Sequence, residues 1–301
     1  MFDMTTLGDD AIAAKGWFES HKYLILRRLS QLGILALFLT GPWFGIWIVK
    51  GNLASSLTLD ILPLTDPYVL LQAMLSGVVP ETAAIIGVVI VLAFYFLVGG
   101  RVYCSWVCPV NMVTDLAAWL RRKLGIRTTS QISRSTRFWM LVLTLILPLV
   151  VGGIVWELVN PVSMMFRGIV FGMGAAWVMI VGIFLFDLLV AKDGWCGHIC
   201  PVGAFYSLLG SKSLLKVNAS QRQACNDCME CYVVCPEPQV IKPALMGEKK
   251  GLSPVILSSD CTNCGRCIDI CAKDVFSYGG RHATKIDECK REGEINRGVR
   301  V

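Results

Sequence analysis

Charge is what this 301-residue chain has least of. Asp, Glu, Lys and Arg together make up 17% of it, against roughly a quarter of an ordinary soluble domain. Histidine is scarcer still, at three residues. The net charge of +6 does not indicate a nucleic-acid partner, because the basic residues gather beside apolar runs, where they read as topology signals. A Gly-rich phosphate loop, a dinucleotide fingerprint and a hydrolase triad are all missing, which removes nucleotide-dependent and hydrolytic chemistry. An early apolar h-region is missing as well. The first 28 residues mix Lys15, Lys22, Arg27 and Arg28 with acidic residues, so no cleavable signal peptide is expected.

What fills the space is apolar. Hydrophobic residues are 54% of the chain and the mean hydropathy is +0.59, a membrane composition. Four uncharged runs stand out: Leu32 to Val49, Ala83 to Val98, Phe138 to Val155 and Gly168 to Phe186. Each is near the ~20 residues that cross ~30 Å of hydrocarbon, so four transmembrane helices are expected over residues 29–190. Pro42 lies inside the first run, and a bilayer-buried helix tolerates such a kink. A polar loop, Lys50 to Gly77, is broken by Pro63 and Pro67. Segment 99–137 carries Arg101, Arg121, Arg122, Lys123, Arg127, Arg134 and Arg137, whereas the opposite loops carry only Lys50 and Arg167. The positive-inside rule then puts both termini and the middle segment in the cytoplasm. Trp43, Trp47 and Trp156 fall where an outer aromatic belt is expected. The spans contain no chain of ionisable residues, which disfavours a proton pump.

Cysteine is the one reactive residue in abundance. Eight of the thirteen cysteines form two blocks, Cys225-x2-Cys228-x2-Cys231-x3-Cys235-Pro236 and Cys261-x2-Cys264-x2-Cys267-x3-Cys271. This spacing wraps three thiolates around one iron–sulfur cube and lends the fourth to its neighbour. One [4Fe–4S] cluster is therefore expected on Cys225, Cys228, Cys231 and Cys271, and another on Cys235, Cys261, Cys264 and Cys267. Zinc ribbons use longer gaps between cysteine pairs, and a cytoplasmic compartment argues against a disulfide framework. Residues 216–285 thus read as a small α+β two-cluster ferredoxin domain, with 286–301 as a tail in which Cys289 is an ordinary surface thiol.

The second signal is repetition. Cys104-Ser-Trp-Val-Cys108-Pro109-Val110 follows the second run and Cys196-Gly-His-Ile-Cys200-Pro201-Val202 the fourth, suggesting duplicated helix-pair units with 191–215 closing the second. Pro109 and Pro201 suit the first position of a new helix. That places Cys108 and Cys200 at helix N-termini, where the dipole is expected to favour thiolate. An α-helical turn would set Cys104 and Cys108 on one face. The four sulfurs either form a metal or redox site or are packing residues of a helix break. His198 is a candidate proton acceptor or an interfacial histidine bonded to backbone. Asp187 and Glu157 are functional acids or simple helix-end residues.

Together these residues resemble a known family. Ser20-His21 to Arg28, Gly41-Pro42-Trp43-Phe44-Gly45, Pro63-Leu64-Thr65-Asp66-Pro67, Trp156-Glu157, Asn160-Pro161-Val162-Ser163 and both kinds of cysteine motif are similar to the NapH family. These are membrane-bound ferredoxin-type subunits associated with periplasmic nitrate reductase, and the likeness covers nearly the whole length. The resemblance implies a multi-pass protein of the bacterial inner membrane that takes electrons from the quinol pool. They would pass towards nitrate reductase with a periplasmic NapG-like ferredoxin-type partner. A periplasmic acceptor and a cytoplasmic tail imply either that electrons recross the bilayer, for instance through the C-x3-C-P site, or that the tail has another role. A cluster-bearing maturation or redox-sensing membrane protein is the alternative class.

Overall fold

The computed structural model describes residues 7–126, 130, 132–172 and 174–282; Cys289 and the 286–301 tail lie outside them. Among the described residues, one helix is long and apolar enough to cross a membrane by length and composition, Lys22–Phe44. It begins earlier than the apolar run. Pro42 does not kink its middle but sits at its end, where Gly45 turns left-handed and its N–H closes on the Gly41 carbonyl. The second and third runs become the helices Thr82–Val98 and Thr136–Val151. Both are apolar but shorter than a full span.

The fourth run departs from expectation. In place of one continuous helix from Gly168 to Phe186 there are two, Pro161–Phe171 and Gly174–Leu185. Gly172 takes φ +65 between them, a conformation that costs glycine little and breaks the helix. The two pack on each other, with Gly168 leaving room for Ala176 and Trp177. The second of them runs on into a π-helical turn, Phe186–Val190.

The loop between the first and second helices is not a plain polar connection either. It forms β1 (Val49–Gly51), β2 (Ser55–Thr58) and β3 (Leu62–Thr65), antiparallel in that order. The registers are Val49↔Thr58 and Ser55↔Thr65. A helix, Pro67–Leu75, follows, capped by Asp66 accepting from the Tyr68 N–H at 2.9 Å, with Pro67 at its first position. β3 lies along helix 82–98. Gly87 makes this possible, because a Cβ there would stand 2.9 Å from Thr65 Oγ1 and 3.0 Å from its backbone N.

The cysteine-rich tail is α+β as expected: β4 (Leu215–Asn218) pairs antiparallel with β5 (Ser277–Gly280) around the short helices Glu230–Val234 and Arg266–Ile270. Val217, Ile241, Ile256, Val275 and Phe276 form its core. The two blocks repeat in backbone as well as in spacing. Asp227, Met229, Asn263 and Gly265 are all left-handed, at the same two offsets from the first cysteine of each block.

The tail does not hang free. Asp269 accepts from the Tyr23 and Leu24 N–H groups at 3.1 and 3.0 Å and so caps the long first helix. Lys15 donates to the Ile268 carbonyl at 2.8 Å. Asp115 pairs with Arg27 at 3.4 Å and with Arg28 and Arg266. The divisions expected at residues 28 and 215 are therefore places where the chain packs against itself.

Candidate iron–sulfur site

Each C-x3-C-P motif is one wide turn of helix. Tyr103–Val107 and Trp195–Ile199 are both π-helical. They close by Cys108 N–H on the Tyr103 carbonyl and Cys200 N–H on the Trp195 carbonyl, each at 2.9 Å. Such turns are rare and concentrate at functional sites; here they replace the α-helical turn the spacing suggested. Cys108 and Cys200 are extended, with ψ 118 and 115, as the following prolines require. Helices Val110–Lys123 and Pro201–Leu209 then begin. The duplication read from the sequence is thus a duplication of geometry.

The two turns meet. Cys104, Cys108, Cys196 and Cys200 line one cavity, together with Asp66, Tyr103, Trp156 and Trp195. The helix N-termini do not make these thiols acidic. Burial pushes Cys108 up and Cys200 to about 12, and neighbouring thiols add to it, outweighing the backbone donors Val110, Asn111, Val202 and Gly203. Desolvation favours the neutral form, and dipole and amides are the weaker effect. Four such sulfurs ionise together only around a cation.

In the tail, one cavity is lined by Cys225, Cys228, Cys231 and Cys271, and another by Cys235, Cys261, Cys264 and Cys267. Each block's fourth cysteine therefore sits with the other block's first three. Asp227 N–H points at Cys225 Sγ at 3.4 Å. Burial raises Cys231 to about 12 and Cys261 to about 11. Among the described residues no three His, Cys, Asp or Glu side chains converge tightly enough for a single metal ion. The exchange of the fourth cysteines between the two blocks fits a pair of polynuclear clusters.

Arg101 joins the quartet of Cys104, Cys108, Cys196 and Cys200 to the tail. Its Nη1 donates to Glu237 Oε1 at 2.7 Å and to the Asp260 carbonyl at 2.8 Å, and its Nη2 to the Cys196 carbonyl at 3.3 Å. Glu237 also takes Arg137 at 3.0 Å and Arg134 at 2.9 Å. Burial alone would raise its carboxyl, but Arg101 and Arg137 hold it below the usual range. Alongside, Ser105 Oγ donates to the Thr262 carbonyl at 2.7 Å and Trp106 Nε1 to that of Asn263 at 3.0 Å. The first π turn is thus stitched to the loop Thr262–Asn263, between Cys261 and Cys264.

The acids and the histidine singled out from the sequence fall elsewhere. Asp187 Oδ1 accepts from Trp195 N–H at 2.9 Å, so it holds the start of the second π turn. His198 is half-buried, its pKa lowered by burial against the pull of Glu237. Glu157 accepts from Asn160 Nδ2 at 3.2 Å. None of the three lines a cysteine cavity. Asp66, Arg101 and Glu237 were the residues sequence reasoning passed over. Arg101, three residues before Cys104, and Glu237, two after Cys235, had motif proximity as a signal.

Two cysteine-lined cavities in a docked tail, beside a third at the ends of apolar helices, fit a ferredoxin-type iron–sulfur electron-transport protein. The chain matches a family described as "4Fe-4S binding domain" twice, over residues 81–127 and 173–218, and one described as "4Fe-4S dicluster domain" over 224–275. It is 50% identical to the ferredoxin-type protein NapH of Escherichia coli, over 91% of this chain and 95% of that one. To NapH of Haemophilus influenzae it is 51% identical, over 88% and 92%. To the methylamine utilization ferredoxin-type protein MauN of Methylorubrum extorquens it is 50% identical, over 89% and 92%. The chain belongs to this NapH–MauN family of ferredoxin-type proteins. No solved structure matches it.

Proposed function

We propose that this protein is the quinol-oxidising subunit of a bacterial inner-membrane electron-transfer chain, delivering electrons towards a periplasmic nitrate reductase system through a NapG-like ferredoxin-type partner. It holds one [4Fe–4S] cluster on Cys225, Cys228, Cys231 and Cys271, another on Cys235, Cys261, Cys264 and Cys267, and a third iron–sulfur centre on Cys104, Cys108, Cys196 and Cys200. It crosses the membrane four times, through helices 22–44, 82–98, 136–151 and 174–190, with the hairpin partner 161–171 entering partway and both termini in the cytoplasm.

The observation that carries this reading is the juxtaposition at Arg101. One guanidinium bonds the Cys196 carbonyl in the membrane quartet and the Asp260 carbonyl beside Cys261 in the tail. An iron–sulfur centre accepts and gives one electron at a time, which is what splitting a two-electron quinol requires. The chain's own residues supply the rest. They exclude water from the quartet, fix the two π turns against each other, and hold the tail so that Cys261 and Cys264 lie behind Ser105 and Trp106. Cys228 is exposed and marks the edge of the tail open to a partner.

The test is quinol titration of the purified full-length protein, followed by electron paramagnetic resonance. Wild-type tail clusters should be reduced by quinol. Cys108→Ser with Cys200→Ser should abolish that reduction while leaving tail iron intact. Wild-type reduction in the double variant would remove the quartet from the route.

A further inference from the structure

One large apolar cleft, of about 420 Å³, plays no part in holding the cysteines. Its walls come from Leu37 and Phe38 on helix 22–44, Val91 and Phe94 on helix 82–98, and Leu53 and Leu64 from the sheet segment. Its floor is polar: Asp66, Tyr95, Tyr103 and Tyr206. Asp66 and Tyr103 also line the cavity of the membrane quartet. These two side chains are the partition between an apolar cleft and four cysteines.

Asp66 arrives there because the segment from Val49 to Thr65 folds back along helix 82–98. Non-helical backbone at membrane depth is tolerated where it is buried in protein or lines a cavity, and an acidic residue placed there is a functional residue by default. Asp66 Oδ1 accepts from the Tyr68 N–H at 2.9 Å and from the Tyr206 hydroxyl at 3.1 Å. Its other oxygen has no hydrogen bond among the described residues. Tyr206 stacks on Tyr103 with centroids 5.0 Å apart, and Tyr95 meets it edge-on at 5.0 Å. The floor is therefore rigid, with one free carboxylate oxygen.

We propose that this cleft is the quinol site: the headgroup of a lipid-soluble quinol sits between helices 22–44 and 82–98 with a hydroxyl on Asp66, which takes its proton. The proposal rests on the quinol-oxidising reading above and locates it. A cleft of this size accommodates a quinone ring and the first part of its tail, the usual range for small-ligand pockets being ~300–1,000 Å³. A lipid acyl chain would satisfy the walls and leave the carboxylate unpaired.

Oxidation of the quinol breaks its two O–H bonds and releases two protons and two electrons. The proton of the hydroxyl held on Asp66 passes to its free oxygen, and the proton of the para hydroxyl, at the other end of the ring, passes to water at the open mouth of the cleft. The oxidant would be the iron–sulfur centre that Cys104, Cys108, Cys196 and Cys200 would hold across the partition, which would take the two electrons one at a time.

The test uses the full-length holoprotein in lipid nanodiscs with decylubiquinone, and its quinol, as probe. Leu37→Trp and Val91→Trp each fill the cleft and should weaken equilibrium binding at least tenfold with iron content unchanged. Asp66→Asn keeps the cap on Tyr68, since Asn caps as well as Asp. It should bind within threefold of wild type yet slow quinol-driven cluster reduction about 100-fold, the scale of a lost general base. Wild-type binding in both cleft variants, or wild-type reduction in Asp66→Asn, overturns the site while leaving quinol oxidation standing. A cleft that retains phospholipid and binds no decylubiquinone overturns it too. Cleft-dependent binding without any cluster reduction in wild type overturns the oxidising function and the proton role together.

Discussion

Glu237 is the residue on which the docking of the tail turns, and neutralising it is the sharpest probe of the architecture. The carboxylate is 1% exposed and faces Arg101 and Arg137, themselves 2% and 1% exposed. Glu237→Gln keeps the shape and removes the charge. Breaking a buried pair by removing one partner's charge costs about 3–5 kcal/mol, because the remaining cation is left in low dielectric. Here the cost should sit at the lower end, about 3 kcal/mol, because Arg137 retains Asp260 and Arg101 retains the Asp260 and Cys196 carbonyls. That corresponds to roughly a 100-fold shift of the docking equilibrium. Limited proteolysis of the detergent-solubilised protein should accordingly cut between the apolar-helix part and the tail about 100 times faster, with tail iron retained. Arg134→Ala is the control. Arg134 is 37% exposed, and such a partly solvated pair contributes at most about 1 kcal/mol. Equal effects from the two substitutions, or none from Glu237→Gln, would refute the claim that a buried arginine–carboxylate knot fixes the tail against the cysteine quartet.

Two further outcomes follow from the tail and the membrane part. Cys228→Ser should lower the iron content by about four atoms per chain and leave the cluster on Cys235, Cys261, Cys264 and Cys267 visible by electron paramagnetic resonance; unchanged iron would displace Cys228 from the ligand set. Reporter fusions after Ala54 should read as periplasmic, and fusions after Lys123 and Gly247 as cytoplasmic; a periplasmic reading at Gly247 would invert the proposed orientation and put the tail in the periplasm.

The sequence was most legible where covalent spacing dictates geometry. Two C-x2-C-x2-C-x3-C runs allow few ways to surround a cube, and the structure groups their cysteines around two cavities with the fourth of each run exchanged. The repeated C-x3-C-P motifs likewise give two π-helical turns with the same ending, because a proline after the second cysteine forces it extended in both. What could not be read is set by contacts distant in sequence. The thiols of that quartet were expected to be acidic from their helix N-termini, a local argument. Burial, which depends on what packs over them, reverses the sign. The fourth apolar run has the composition of a single span, and the left-handed Gly172 lies where it is split; hydropathy averages over such a residue. Asp187 and His198 are rare ionisable groups beside apolar runs, yet Asp187 holds the Trp195 N–H through Oδ1 and lines no cysteine cavity.

Asp66 illustrates the opposite case. It stands in a stretch that reads as a polar loop between two prolines, so periodicity and charge place it outside the bilayer. Its actual position depends on Gly87, 21 residues further on, having no side chain to keep β3 away from helix 82–98. It depends equally on Tyr206, 140 residues away, reaching its carboxylate. A carboxylate brought beside four cysteines by two such remote residues is not a solvated loop acid. The same chain that keeps charge out of its apolar helices places one acid between an apolar cleft and its cysteine quartet. That is the arrangement expected if protons and electrons separate there.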